Sequence, residues 1–212
     1  MKHVRSLPAL YKTLLRAFGP QQWWPGETPF EIAIGAILTQ NTNWSNVERA
    51  IANLKRVNTL TALALHALPN GELAELIRPA GYFNVKTKRL KAFLDYLIAA
   101  HSGSMAKMKR HDIVRLRPEL LGVNGIGPET ADSILLYALE KPIFVIDAYT
   151  KRVLSRHGVL AYEKSYDAFQ ELFHNALPHE FALFNEYHAL FVRIGKEFCK
   201  PTPRCGGCPL GA

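Results

Sequence analysis

The chain has 212 residues, 48% of them hydrophobic, and carries 26 Lys and Arg against 18 Asp and Glu, a formal net charge of +8. That is enough apolar material for one substantial core or two small ones, and the positive balance favours a polyanionic partner, with a merely solubilising surface as the plainer reading. No apolar run reaches transmembrane length and Met1-Lys2-His3-Val4-Arg5 lacks the apolar core of a signal peptide, so the expectation is a cytoplasmic protein with no membrane partner.

The periodicity is helical nearly throughout. Leu7, Leu10, Leu14 and Phe18, joined by Tyr11 and Leu15, form one stripe ending at Gly19-Pro20. Thr28-Pro29-Phe30-Glu31 has a capping-box pattern with proline at the first helical position and starts a helix through Ile32, Ile34 and Leu38. Further stripes follow at Val47, Ile51 and Leu54, and at Leu90, Phe93, Leu94 and Leu97, with Pro69-Asn70-Gly71 and Ser102-Gly103 as punctuation. Lys86, Lys88, Arg89 and Lys91 give the last of these helices a basic start, either a solvated face or a phosphate contact.

Val123-Asn124-Gly125-Ile126-Gly127 places glycines at alternate positions just before Pro128, where positive φ, close backbone approach and the open N-H groups of a helix start suit a phosphate. Ala131 to Leu139 continues that helix and Lys141-Pro142 breaks it. Ile143 to Ile146 is β-prone but too short to seed a sheet, so it is expected to be a buried extended connector that places Asp147 at the N-cap of a helix bearing Lys151, Arg152 and Leu154. The last helices carry Phe169, Leu172 and Phe173, then Phe184, Tyr187, Phe191 and Ile194. Cys199, Cys205 and Cys208 cluster at the end, which suggests metal ligation rather than a disulfide framework.

The run LGVNGIGPETA, with Asp147 lying 18 residues after Glu129, resembles the helix-hairpin-helix DNA glycosylases of the endonuclease III superfamily, and the resemblance covers nearly the whole chain. It implies an all-α fold of two helical domains with a DNA cleft between them: a six-helix barrel with the hairpin at 28–141, a second domain from 1–27 and 142–198, and a C-terminal Cys loop at 199–212. In the family the hairpin carbonyls, here matching Leu121, Val123 and Ile126, hold a monovalent cation that bridges to phosphate, while the N-H groups of Gly125 and Gly127 donate to DNA directly. Gln40 in Leu38-Thr39-Gln40-Asn41-Thr42 matches the glutamine that fills the vacated base stack; a polar loop capping the next helix is the plainer reading. Asp147 matches the catalytic aspartate, against the alternative of a simple N-cap. Glu129 stands where the lyase members carry a Schiff-base lysine. A carboxylate has no amine for that attack, so the resemblance implies a glycosylase without lyase activity, with Glu129 a secondary catalytic candidate or a helix-dipole partner.

WWPGETPFEIAIGAILTQNTNW and RPAGYFNVKTKRL are similar to the 3-methyladenine DNA glycosylase III branch, in which an aromatic pair sandwiches the alkylated base. Trp23 and Trp44 match that pair, with Trp44 replacing a phenylalanine, and Trp24 and Pro25 complete the expected base pocket; core anchoring is the competing role for Trp24. The function so implied is a monomeric base-excision glycosylase that flips N-alkylated purines, chiefly 3-methyladenine, out of double-stranded damaged DNA. The alternatives are an endonuclease III-like glycosylase/lyase on oxidised pyrimidines and a non-catalytic damage binder. A mispair adenine glycosylase would need a glutamate on the first barrel helix, where Ala36 stands. The Cys segment is similar to the family's four-cysteine 4Fe-4S loop, with a shorter first gap and no fourth cysteine; zinc and free thiols are the alternatives.

Overall fold

A computed structural model of the chain describes residues 6–23 and 26–211; Trp24 and Pro25 of the expected base pocket lie outside them. The described residues are helical with no β-strand, as the periodicity predicts. None of their helices is long and apolar enough to cross a membrane. The chain divides into two compact units, one of residues 24–141 and the other of residues 1–23 with 142–212.

The 24–141 unit is organised on α2 (Pro29–Leu38), which opens where the Thr28 hydroxyl accepts the Glu31 amide at 3.1 Å. Its sequence is apolar nearly all round, so the helix is buried on almost every side. Glu31, the one charge among its buried residues, is compensated by Lys55 at 2.9 Å. Lys55 ends α3 (Trp44–Arg56), whose Val47, Ala50, Ile51 and Leu54 face the core. Two short helices follow, α4 (Ala62–Ala67) and α5 (Asn70–Leu76). Pro69-Asn70-Gly71, the expected punctuation, falls at the start of α5, with Pro69 as its N-cap.

The long α6 (Phe83–His101) ends at Ser102 and Gly103, both at positive φ, where the expected break falls. α7 (Met105–Lys109), α8 (Ile113–Leu121) and α9 (Pro128–Ser133) complete the unit. Beyond Ser133 the helix widens into a π-helical turn, Ile134–Ala138, with all five residues buried against α2.

The second unit packs α1 (Leu7–Phe18), α10 (Ala148–Arg156), α11 (Tyr166–Ala176) and α12 (Phe181–Glu197) around aromatic rings. Phe144 stacks on Phe173 at 3.6 Å and meets Phe184 and Tyr187 edge-on. The Tyr187 hydroxyl, pushed up by burial, donates to the Leu7 carbonyl at 2.8 Å and ties α12 to α1.

The run 143–146 is extended and buried, and side chains rather than a neighbouring strand serve its backbone. His174 Nε2 accepts the Phe144 amide at 3.1 Å, Gln170 donates to the Phe144 carbonyl at 2.6 Å, and the Tyr166 hydroxyl accepts the Ile146 amide at 3.2 Å. This is how four β-prone residues satisfy their polar groups without a sheet.

α10 and α12 approach closely at Gly195, where an added Cβ would collide with the Tyr149 ring. We expect Gly195→Ala to force the two helices apart, at a cost of about 1–3 kcal/mol, read as a lowered Tm together with slower turnover, because α10 begins at Asp147.

Candidate active site

Asp147 is the N-cap of α10, with extended backbone (φ −103, ψ 177) and one carboxylate oxygen accepting the Thr150 amide at 2.7 Å. The other oxygen lies 3.6 Å from His188 Nε2 on α12, and both side chains are nearly buried. Burial pushes the Asp147 carboxyl up, but the facing His188 imidazole and the Thr150 amide outweigh it and hold the group below its ordinary value. A desolvated carboxylate kept ionised can steady positive charge developing within its reach.

The His188 ring also stacks on Trp23, with centroids 6.0 Å apart and planes 13° apart, and meets Phe144 edge-on at 6.3 Å. Trp23 and Asp147, two residues proposed from sequence, are thus brought to one imidazole, Trp23 at its face and Asp147 at its Nε2 edge. Nothing in the sequence singles out His188. Its position beside Tyr187 on an aromatic stripe reads as core, and only the fold aligns it with a carboxylate from another helix.

The 24–141 unit gathers a second group. Gly125, at φ +84, forms the hairpin between α8 and α9, where the Ile126 amide closes a turn on the Val123 carbonyl at 3.0 Å. Gly127 caps α9 without a side chain, and Glu129 lies exposed in its first turn, where a negative charge suits the helix dipole. Val123 and Ile126 are buried, while Leu121 is exposed at the lip of the turn.

Gln40 Nε2 donates to the Gly125 carbonyl at 3.0 Å and to the Thr130 hydroxyl at 2.9 Å, while Arg89 donates to Gln40 Oε1. A Cβ on Gly125 would strike the Arg89 stem, so glycine is required there twice over, by conformation and by space. Gln40 is accordingly held by the hairpin, and any insertion into a duplex starts by breaking these bonds.

Trp44 opens α3, half-buried, with its ring edge against Gly35 of α2. Lys86, buried on α6, donates to the carbonyls of Leu38 and Ala80 at 2.8 and 2.7 Å, which fixes the end of α2 just before Gln40. Burial and the neighbouring Arg89 lower its amine to about 8. At the N-cap of α6, just ahead of its basic run, Tyr82 is exposed and held at φ +46. It is a projecting aromatic that no periodicity signals.

In the C-terminal segment Cys199 is buried, Cys208 half-buried and Cys205 exposed. Arg156 donates to Cys199 Sγ at 3.4 Å and to the Lys200 and Pro201 carbonyls. No three His, Cys, Asp or Glu side chains among the described residues are gathered as a metal centre. Cys199, Cys205 and Cys208 are three thiols of the kind that a four-thiolate 4Fe-4S cluster takes.

Residues 34–179 match the sequence pattern of the HhH-GPD superfamily base excision DNA repair protein. A Methanocaldococcus jannaschii protein whose name, DNA repair glycosylase MJ1434, is provisional is 48% identical over 203 residues, which span 95% of this chain and 92% of that protein. Endonuclease III of Thermotoga maritima is 26% identical over 183 residues, 86% of this chain and 80% of its own. Among solved structures, the H. pylori 3-methyladenine DNA glycosylase bound to 1,N6-ethenoadenine is similar with a TM-score of 0.76 at 29% identity, over 89% of this chain and 96% of that one. A trapped covalent endonuclease III–DNA intermediate shares the fold with a TM-score of 0.84 at 22% identity, over 99% and 94% of the two chains.

Proposed function

Since the chain belongs to the HhH-GPD superfamily of base excision DNA repair proteins, and is a DNA glycosylase with DNA as its partner, we propose that it removes N-alkylated purines, chiefly 3-methyladenine, and leaves the abasic site unnicked. The observation that carries this reading is a desolvated, ionised Asp147 one imidazole away from the Trp23 indole.

An N3-alkylated purine is already cationic. It leaves as a neutral base when the C1′–N bond breaks and its electron pair passes to the ring. Little acid catalysis is needed, and the sugar develops oxocarbenium character that a fixed carboxylate stabilises. Water then adds to C1′ and passes its proton to the carboxylate that orients it. An indole face favours a cationic base over an ordinary one by about 0.5–2 kcal/mol. In this reading Trp23 and Trp44 supply the aromatic faces, and Gln40, with exposed Tyr82 as a further candidate, fills the gap in the stack. The carbonyls of Leu121, Val123 and Ile126 are proposed to take a monovalent cation at the DNA backbone.

Strand cleavage would require an amine at the sugar. Glu129 offers none, and Lys86, the buried lysine of lowered basicity, is held by the carbonyls of Leu38 and Ala80.

Incubation with methylated duplex DNA should release free 3-methyladenine and yield alkali-labile but unbroken strands, with no covalent adduct on borohydride treatment. Binding of that DNA without release of any base would defeat the reading. An adduct trapped by borohydride would shift it to a glycosylase/lyase.

A further inference from the structure

His188 belongs to neither the expected catalytic set nor the expected base pocket, yet it touches a member of each. One ring face lies along Trp23, its Nε2 edge points at Asp147, and Phe144 closes the side. Asp147 is the charged group that faces it from α10, while the 143–146 connector and the Trp23 segment present aromatic rings. The neighbouring Glu186 accepts the Gln21 amide at 2.6 Å, and the Tyr187 hydroxyl is engaged with Leu7. With His188 nearly buried and flanked on three sides, its ring has little freedom to turn.

We propose that His188 is a positioning residue that couples base capture to bond cleavage, backing the Trp23 indole with its face while holding the Asp147 carboxylate with its edge. The inference rests on the reading that Trp23 stacks on the substrate base and Asp147 serves the sugar. Two consequences follow from one ring. A backed indole offers its remaining face in a fixed plane, so the base arrives already oriented relative to the carboxylate. A carboxylate facing a nitrogen rather than a hydrocarbon stays ionised despite desolvation.

Two substitutions separate the roles. His188→Phe keeps a flat ring behind Trp23 and removes the nitrogen facing Asp147. It should leave half-saturation on methylated DNA near the wild-type value, lower the single-turnover rate on the order of a hundredfold, and move the acid limb of the pH–rate profile to higher pH. His188→Gln keeps a polar donor and removes the flat ring, so half-saturation should rise about tenfold, the equivalent of about 1.4 kcal/mol, with the smaller loss in rate.

If both variants lose rate alike, with half-saturation and acid limb unmoved, His188 is merely structural and the proposal is overturned. If His188→Phe gives no cooperative melt, His188→Gln decides alone, and unchanged half-saturation in that folded variant overturns the coupling. Titration of ¹³C-carboxylate-labelled protein, with the Asp147 signal assigned by its loss in Asp147→Asn, needs no substrate. The signal should titrate higher in either variant than in wild type, and an unmoved midpoint overturns the proposal. Wild-type protein that releases no alkylated base defeats the glycosylase reading instead, and the carboxylate titration still decides the contact between His188 and Asp147.

Discussion

Asp147→Asn should cut base release by about a thousandfold or more while DNA binding and the fold survive. The expected size is that of removing a charge aimed at the transition state, on the order of 10²–10⁴ for general-base action alone. Asparagine caps a helix about as well as aspartate, so the bond from the Thr150 amide at 2.7 Å has an equivalent acceptor in the variant. What disappears is the negative charge facing His188. Single-turnover release and a fluorescence-anisotropy binding curve together separate the two: wild-type turnover in the variant would reduce Asp147 to its capping role, and lost binding would mean that α10 had moved.

The same carboxylate sets a pH dependence. Its folded-state pKa is held down, with His188 and Thr150 outweighing burial. Its contribution to stability is therefore fully present above the ordinary carboxylate value of about 3.9 and is lost as pH falls through the lower folded-state value. The difference in melting between wild type and Asp147→Asn should stay constant from neutral pH down to about 4 and close only in stronger acid.

Much of this molecule was legible in sequence because its signals are local. The Thr28 cap needs only Glu31 three residues on, Gly125 only the geometry of its own turn, and Asp147 only a broken helix before it and a new one after. The residues missed are those whose meaning depends on distant partners. Arg89 reads as one of four basic residues opening a helix until folding lays it under Gly125 and against Gln40, 49 positions away. His188 sits on an apolar stripe and gains its significance only when α12 packs beside α10. The π-helical turn at Ile134–Ala138 has the sequence of an ordinary helix, because a uniformly apolar run fits either winding and its packing against α2 selects one. The short helices α4, α5 and α7 escaped because five to seven residues span too few turns to show a stripe.

The second large effect is expected at Arg117, far along the sequence from Asp147 and with no part in the chemistry. Arg117 on α8 clasps Asp132 on α9 with Nε–Oδ1 at 2.8 Å and Nη2–Oδ2 at 3.2 Å, and the Asp132 side chain is wholly buried. The bidentate pair spans the helices on either side of Gly125 and fixes the angle at which the hairpin is presented. Arg117→Ala takes the two-point guanidinium clasp from a carboxylate that has no access to water, which costs about 3–5 kcal/mol and should lower Tm by about 10 °C for a chain of this size. The companion change Asp132→Ala removes the buried charge itself and leaves an arginine that is about a quarter exposed, so it should be the milder of the two. An apolar pair, Arg117→Met with Asp132→Leu, should regain most of the lost Tm, since a buried ion pair adds little over hydrocarbon of similar volume. The double variant separates stability from function. Hydrocarbon can fill the space but cannot reproduce a two-point clasp, so DNA affinity should remain weakened while the melt recovers. Full recovery of both would mean that the clasp contributes stability alone and that α8 and α9 find their angle without it.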